Sequence, residues 1–140
     1  MIKTASVSWR HDLAFSGRHH GSPELNLRPA EAEAGEYSPL HLVLVGLAGC
    51  TGMDVISILS KKQQQVTAFS VHVEADQAED YPKVFTHIKV MYRVAGHAIA
   101  DEAVKRSIEL SVTKYCPVNA MLGQVVDIEY DYEIEPATDG

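Results

Sequence analysis

A long apolar segment from Ser38 to Lys62 constrains the fold of this chain more than any other part of the sequence. Ser38 is a favourable N-cap residue and Pro39 suits the first helical position, so a helix is predicted to begin there. Lys61 and Lys62 place positive charge where the C-terminus of a helix favours it. Because nearly every position between these ends is apolar, we expect a helix that is buried on most of its faces.

Three glycines, Gly46, Gly49 and Gly52, recur every third residue inside this helix, and Cys50 lies among them. Each glycine costs roughly 1 kcal/mol of helix stability relative to alanine, so we expect another backbone to approach closely there. The segment also has about the length of a membrane span, but Asp54 lies inside it, and charged residues within a span are costly. A buried helix of a soluble protein is therefore favoured over a membrane helix.

Length and charge limit the class of protein. The chain has 140 residues, which predicts a single domain over residues 1–140 that buries a core without disulfides or metals. Its formal net charge is -7 with no basic cluster, which argues against nucleic acid and membrane surfaces as partners. The opening residues, Met1 to Thr4, contain no apolar signal-peptide core, so a cytoplasmic location is expected.

Alternating apolar and polar residues predict strands before and after the long helix. The runs before it predict a small antiparallel meander, with strands at 3–10, 13–15 and 24–28, a turn at 17–21 and a polar loop at 29–37. The runs after it predict a hairpin and a last strand, at 66–76, 84–94 and 125–135. The fold class is therefore α+β.

A second helix is predicted over residues 100–114, with Asp101 as its N-cap. Cys116-Pro117 ends it, because the residue before proline avoids helical geometry, and residues 118–122 are predicted to add one further turn. Sheets this small do not cover a helix that is apolar on all sides. A second subunit supplying the missing cover is the economical solution, so we predict a homodimer.

Two cysteines, Cys50 and Cys116, are the candidate reactive groups. A structural disulfide is not expected in a reducing compartment, and buried inert thiols and a redox pair stand as alternative interpretations. A peroxide-reducing thiol has to be a thiolate, which needs a nearby cation or hydrogen-bond donors, and Arg10 and Arg18 are candidates for that cation. Asp54 lies one turn after Cys50 and either opposes the thiolate, anchors an arginine or forms hydrogen bonds in an interface.

The histidines lack the spacing of a metal site, since the sequence contains no His-x-x-x-His and no Cys-x-x-Cys pattern. No glycine-rich phosphate loop and no Gly-x-Ser-x-Gly nucleophile turn occur either. We therefore expect neither a metal nor a cofactor.

Four segments together resemble the OsmC/Ohr family of osmotically inducible and organic-hydroperoxide-resistance proteins. They are residues 38–39, 47–59, 81–88 and 110–118, and the second and fourth of them contain the two cysteines. The resemblance covers almost the whole chain in order. It implies an intertwined α+β homodimer, in which two long buried central helices are wrapped by antiparallel sheets from both subunits.

The resemblance also implies a thiol peroxidase without metal or haem. Cys50 matches the cysteine that attacks the peroxide and Cys116 the resolving cysteine, so a Cys50 sulfenic acid would condense with Cys116 to a disulfide. A dithiol, in relatives a lipoyl group, would then reduce that disulfide by exchange. An apolar pocket at the dimer interface would favour small organic peroxides over hydrogen peroxide.

One position departs from the pattern of the peroxidases in this family. Those members carry a glutamate after the Ser-Pro at the helix start, and it holds an arginine against the thiolate. This chain has Leu40 there, followed by His41, and Arg18 is the best match for the arginine. The predicted function is a thiol-dependent reductase of organic hydroperoxides that uses Cys50, Cys116 and Arg18. The alternative is a non-catalytic OsmC-like stress-response dimer that binds a small apolar ligand.

Overall fold

The strand periodicity of the sequence produces two three-stranded sheets, one formed before the long helix and one after it. The structure is a computed structural model that describes residues 1–29 and 36–138. Its elements, in chain order, are β1 (Ser6–His11), β2 (Ala14–Arg18), β3 (Leu25–Leu27), α1 (Pro39–Lys61), β4 (Gln65–Gln77), β5 (Phe85–His97), α2 (Asp101–Leu110), a π-helical segment (Ser111–Tyr115), α3 (Pro117–Leu122) and β6 (Asp127–Pro136). They form two compact units, Met1–Val45 and Gly46–Gly140. The predicted α+β class is confirmed.

The first unit contains the predicted antiparallel meander, β1-β2-β3. The turn predicted at 17–21 begins too early, because Gly17 and Arg18 belong to β2. Gly17 pairs with Val7 on one side and Leu25 on the other, so the backbone there is held in the centre of the sheet. The polar loop predicted at 29–37 falls largely on residues 30–35, which lie outside the described part of the chain.

Helix α1 begins as predicted, since the Ser38 hydroxyl accepts a hydrogen bond from the His41 N–H at 3.2 Å. The fully buried positions of α1 recur every three or four residues and so form one face, at Leu47, Thr51, Gly52, Val55 and Leu59. By length and composition alone the helix is long and apolar enough to cross a membrane, as are many core helices of soluble proteins.

The close approach of another backbone expected at the glycines of α1 is not observed among the described residues, and side chains contact the helix at one glycine instead. A Cβ atom added at Gly52 would lie 3.3 Å from Val71 and 3.6 Å from Phe69, so β4 packs directly on the helix there. A Cβ at Gly46 or Gly49 would meet no other atom of the described residues within 4 Å. The described chain therefore leaves part of α1 uncovered.

The second sheet has the order β4-β5-β6. Strands β4 and β5 form the predicted antiparallel hairpin, and β6 joins β5 in parallel, so this sheet is mixed rather than wholly antiparallel. A parallel pair needs a crossover connection, which α2, the π-helical segment and α3 provide. The central strand β5 contributes the most deeply buried residues of the sheet, Ile88, Val90, Tyr92 and Val94.

Strand β6 lies at an edge of this sheet and carries acidic residues at its exposed positions. These are Asp127, Glu129, Asp131, Glu133 and Glu135. Two side chains of β5 reach them: Arg93 lies 3.3 Å from Glu133, and His87 lies 3.4 Å from one acid and 3.6 Å from another. The outward face of this edge is therefore strongly negative.

The second helix differs from its prediction at both ends. Ala100 is the N-cap of α2, and Asp101 does not cap it because its carboxylate accepts a hydrogen bond from the Tyr132 hydroxyl at 2.8 Å. Regular α-helix ends at Leu110, and the π-helical segment follows, closed by a 2.8 Å hydrogen bond from the Cys116 N–H to the Ser111 carbonyl. The further turn predicted after Cys116 is confirmed as α3.

Candidate thiol site

Cys116 lies at the junction between the π-helical segment and α3. It is the N-cap of α3, with Pro117 following, and its sulfur accepts a hydrogen bond from the Asn119 N–H at 3.3 Å. Its side chain is buried, with 3% of its surface exposed. The Cys-Pro sequence therefore fixes both the end of one helical segment and the place of the sulfur at the start of the next.

Burial raises the pKa of the Cys116 thiol from an ordinary value of 9.0 to about 11. The Asn119 N–H lowers this pKa, whereas the neighbouring Cys50 side chain and the charge of Asp54 raise it. Two consequences follow. The Cys116 thiol is protonated at neutral pH, and the Cys50 side chain is close enough to Cys116 to interact with it. Cys50 is half-buried on α1, and both cysteines are free thiols.

Asn119 is held in place from two sides. Its side-chain amide donates to the Val112 carbonyl at 3.0 Å, and its side-chain oxygen accepts a hydrogen bond from the Tyr130 hydroxyl of β6. Burial raises the pKa of Tyr130 to about 12, and the charge of Cys116 raises it as well. The Tyr130 hydroxyl therefore keeps its proton and remains a donor to the Asn119 side chain, which helps to hold the residue whose backbone N–H donates to the sulfur.

A chain of hydroxyl groups runs through the core beside the two cysteines. Tyr92 contacts Thr51 at 2.7 Å, Thr51 contacts Ser111 at 2.8 Å, and Ser111 donates to the Asp54 carboxylate at 2.9 Å. Each hydroxyl has one proton. Since Ser111 gives its proton to Asp54, Thr51 must donate to Ser111 and Tyr92 must donate to Thr51. Every proton in the chain therefore points towards the carboxylate, and burial raises the pKa of Tyr92, which keeps it a donor.

Asp54 thus has a partner that none of the interpretations from sequence named. It accepts a hydrogen bond from Ser111, and its charge is one of the causes that raise the pKa of Cys116. A cavity of about 300 Å³ opens beside it, one turn along α1 from Cys50. Its lining is partly apolar and partly charged, from Asp54, Ser57, Ile58, Lys61, Leu110 and Tyr115.

The arginines of the described chain pair with other side chains. In the first unit Arg18 donates to Glu24 at 2.8 Å, and Arg10 donates to Asn26 at 2.8 Å. In the second unit, which holds both cysteines, one arginine pairs with Glu133 and the other with Glu109, at 3.3 Å and 3.5 Å. The role of Arg18 as the cation beside Cys50 therefore stays a prediction.

Within residues 1–29 and 36–138, no group of three or more histidine, cysteine and acidic side chains is arranged to hold a metal ion.

Sequence reasoning missed four polar residues around the cysteines: Thr51, Tyr92, Ser111 and Asn119. Two of them have a local signal. Thr51 is a hydroxyl residue directly after Cys50 in an otherwise apolar helix, and Asn119 follows Cys116 at the spacing of an N-cap and its N3 residue. Tyr92 and Ser111 have no such signal, because their contacts join segments far apart in the sequence.

Residues 32–131 of the chain match the family described as OsmC-like protein. The chain belongs to the OsmC family. A curated relative, protein YhfA of Escherichia coli (strain K12), is 35% identical to it over 133 residues, which are 95% of this chain and 98% of YhfA.

Solved structures of other OsmC-like and Ohr proteins have the same fold. An OsmC-like protein from Mycoplasma pneumoniae is 15% identical with a TM-score of 0.82, and the match covers 96% of this chain and 98% of that one. The organic hydroperoxide resistance protein OhrB of Bacillus subtilis is 16% identical with a TM-score of 0.64, covering 95% of this chain and 98% of OhrB. The predicted OsmC/Ohr-like fold is therefore confirmed for this OsmC-family chain.

Proposed function

We propose that this OsmC-family protein is a thiol peroxidase that reduces small organic hydroperoxides, with Cys50 as the attacking thiolate and Cys116 as the resolving thiol. The unequal environment of the two thiols supports this assignment more than any other observation. Peroxide attack requires a thiolate, and a thiol with a pKa of about 11 is almost entirely protonated at neutral pH. Cys116 is therefore unsuited to attack, while the half-buried Cys50 beside it is open to a substrate.

The proposed reaction has three steps. The Cys50 thiolate attacks a peroxide oxygen, the O–O bond breaks, and the alcohol leaves after its oxygen takes up a proton. The Cys116 sulfur then attacks the Cys50 sulfenic acid, the S–O bond breaks, and the hydroxide leaves as water with the proton of Cys116. A dithiol finally supplies two electrons and two protons by thiol–disulfide exchange and becomes a disulfide itself.

Family membership supports the same chemistry. OhrB is by its name an organic hydroperoxide resistance protein, and it shares the fold of this chain at a TM-score of 0.64. Arg18 is part of the proposal as the cation that stabilises the Cys50 thiolate. A cytoplasmic location is also proposed, because a reducing compartment keeps both thiols available.

The assay that tests this proposal follows the loss of cumene hydroperoxide in the presence of dithiothreitol. We expect wild type to consume peroxide over many turnovers and Cys50→Ser to lose this activity. Cys116→Ser is expected to consume about one equivalent quickly and to accumulate a sulfenic acid that dimedone traps. A wild-type rate no faster than that of Cys50→Ser contradicts the proposal.

Arg18 has a matched control in the same meander. Arg10 also donates one hydrogen bond within the first unit, to Asn26, and both side chains are exposed. If Arg18 stabilises the Cys50 thiolate, Arg18→Gln slows alkylation of Cys50 by iodoacetamide at pH 6 to 7, whereas Arg10→Gln does not. Equal rates for the two variants show that the arginine was assigned wrongly.

We also propose that the protein is a homodimer that uses the uncovered part of α1. Gly46 and Gly49 meet no neighbour among the described residues, and Val45 and Met53 are 54% and 73% exposed on the same helix. Small and apolar side chains on an uncovered helix suit close packing against a second copy. A large exposed apolar surface is unusual on a monomer, so the pairing of two such helices is the economical way to remove it from water.

A second candidate function, binding of a small apolar ligand without catalysis, is favoured by a cavity in the first unit. This cavity has a volume of about 420 Å³ and a largely aliphatic lining that includes Ala5, Val7, Leu25, Leu27 and Leu42. Binding of a fluorescent anilinonaphthalene probe tests it. If the cavity is the binding site, Cys50→Ser binds the probe as wild type does, and Leu25→Trp, which fills the cavity, weakens binding.

A further inference from the structure

Ser111 is joined to both elements that carry the cysteines. Its backbone carbonyl accepts the hydrogen bond from the Cys116 N–H at 2.8 Å that closes the π-helical segment. Its hydroxyl contacts Thr51 at 2.8 Å and donates to Asp54 at 2.9 Å, and both of these residues belong to α1, the helix of Cys50. One residue thus links the backbone at Cys116 to the turn of α1 that begins at Cys50.

We propose that Ser111 is a positioning residue for the thiol pair, an inference that rests on the proposed function and deepens it. By tying the π-helical segment to α1, the Ser111 hydroxyl holds the Cys116 sulfur where it reaches the Cys50 sulfur. It acts through Cys116, because its hydroxyl bonds to Thr51 and Asp54 rather than to a sulfur atom. Its loss lowers the effective concentration of one thiol at the other, and so weakens the disulfide that resolution forms.

The surroundings of Ser111 make its hydrogen bonds to Thr51 and Asp54 hard to replace. Ser111 and Thr51 are fully buried, so water does not readily take over their hydrogen bonds. The direction of the hydroxyl chain adds to the effect. When the Ser111 hydroxyl is removed, the Thr51 proton loses its acceptor and the Asp54 carboxylate loses a charge-assisted donor.

The π-helical geometry makes the position of Cys116 depend on the hydrogen bonds of the Ser111 hydroxyl. A π-helical turn contains one residue more than an α-helical turn and is rare unless the surrounding structure supports it. In this segment the Ser111 side chain provides that support from α1. Without it, we expect the segment to relax towards α-helical hydrogen bonding, which moves the N–H and the side chain of Cys116 relative to α1.

The test measures the disulfide equilibrium of the pure protein with dithiothreitol, which needs no peroxide. In this reaction the Cys50 and Cys116 thiols give two electrons and two protons to oxidised dithiothreitol, which becomes the dithiol. We expect Ser111→Ala to lower the equilibrium constant about tenfold, the size of one buried hydrogen bond. Thr113→Ala is the matched control, because Thr113 lies in the same segment, is exposed, and donates its hydroxyl to the Glu109 carbonyl at the end of α2, at 2.6 Å, rather than to α1. Its equilibrium constant is expected to stay within about twofold of wild type.

A second pair of variants keeps the test decisive if Ser111→Ala does not fold. Thr51→Val removes the hydroxyl that donates to Ser111 at nearly constant shape, and Thr51→Ser retains it. We expect Thr51→Val to weaken the disulfide and Thr51→Ser to remain close to wild type. Rescue by the retained hydroxyl separates positioning from a general loss of packing.

The possible results separate this proposal from the proposed function. If Ser111→Ala destabilises the reduced and oxidised proteins equally, the equilibrium constant is unchanged, and the residue is only structural, which overturns the proposal. If wild type forms no Cys50–Cys116 disulfide with excess oxidised dithiothreitol, there is no pair to position and the proposal is also overturned. A wild type that forms the disulfide but consumes no peroxide refutes only the peroxidase function.

Discussion

Among single residues, Cys116 has the clearest effect on the rate of the proposed cycle, because its buried thiol takes part in the disulfide-forming step. Because the pKa of the Cys116 thiol is raised to about 11, only about one Cys116 side chain in ten thousand is a thiolate at pH 7. If the thiolate attacks the Cys50 sulfenic acid, disulfide formation accelerates about tenfold for each pH unit between 7 and 10. Rapid mixing with one equivalent of peroxide, followed by quenching and mass spectrometry, measures this step.

The first step supplies the control for that measurement, since formation of the sulfenic acid is followed separately in Cys116→Ser. The Cys116 thiol is absent from this variant, so its rate shows how much of the pH dependence arises outside the resolving step. A resolving step that is independent of pH above 8 contradicts the raised pKa of Cys116.

The same thiol makes the stability of the protein depend on alkaline pH. The folded protein keeps the Cys116 proton up to about pH 11, whereas the unfolded chain loses it near pH 9. The unfolded state therefore binds fewer protons between these values, and the free energy of unfolding falls there by up to about 1.4 kcal/mol per pH unit. Below pH 8 the Cys116 thiol is protonated in both states, so it does not make the free energy of unfolding depend on pH. The measurement is the free energy of unfolding in urea of wild type minus that of Cys116→Ser, taken at a series of pH values. This difference should be constant below pH 8 and fall above pH 9. A difference that stays constant to pH 10.5 contradicts the prediction.

How far this site is predictable depends on whether a residue signals its role locally. Cys50 and Cys116 are recognisable from their sequence contexts, and Asp54 from its charge inside an apolar helix. The partner of Asp54 is not predictable, because Ser111 reaches it only after α1 and the π-helical segment have packed together. Hydrogen bonds between distant segments depend on tertiary structure, and sequence spacing carries no signal of them.

At the scale of elements, the C-terminus of α1 offers a stabilising substitution. Gln63 has a positive φ of 59°, and the N–H groups of Gln63 and Gln64 donate to the Ser60 and Leu59 carbonyls, which is a Schellman motif. Glycine adopts this conformation without steric cost, so Gln63→Gly should raise the free energy of unfolding by about 0.5–1 kcal/mol. Thermal or urea unfolding measures the change.

Lys62 is the matched control for this prediction, because it directly precedes Gln63 and still donates a helical hydrogen bond to Ile58 at 2.9 Å. At a helical position glycine is unfavourable, so Lys62→Gly should lower the free energy of unfolding by about 0.5–1 kcal/mol. If both glycine variants change stability in the same direction, the motif does not govern the stability of this helix end.

Elements with a regular period are predictable from this sequence, and those that depend on a neighbour are not. Alternation locates the strands of both sheets, and Ser38-Pro39 locates the start of α1. The π-helical segment and the parallel place of β6 follow from packing between separate parts of the chain. The prediction of Asp101 as the N-cap of α2 is wrong for a similar reason. The Asp101 carboxylate accepts a hydrogen bond from Tyr132 on the last strand, a contact between distant parts of the chain.

At the scale of the whole molecule, the proposed dimer predicts different effects for two equally exposed valines. Val45 on α1 and Val84 before β5 are each 54% exposed. Val45→Glu places a charge on the proposed interface, at a helical position where glutamate is intrinsically better than valine. We expect this variant to have the mass of one chain by light scattering at micromolar concentration, while wild type and Val84→Glu have twice that mass. A wild-type monomer, or equal behaviour of the two variants, contradicts the dimer through α1.

The row of carboxylates along β6 has a consequence for how the protein stays apart from its own copies. An edge strand exposes unpaired N–H and C=O groups that accept a further strand, and like charges keep a second copy of the same edge away. Replacing the acidic residues of β6 by their amides removes that repulsion and leaves the backbone groups exposed. Such a variant is expected to assemble edge to edge into β-rich aggregates more readily than wild type.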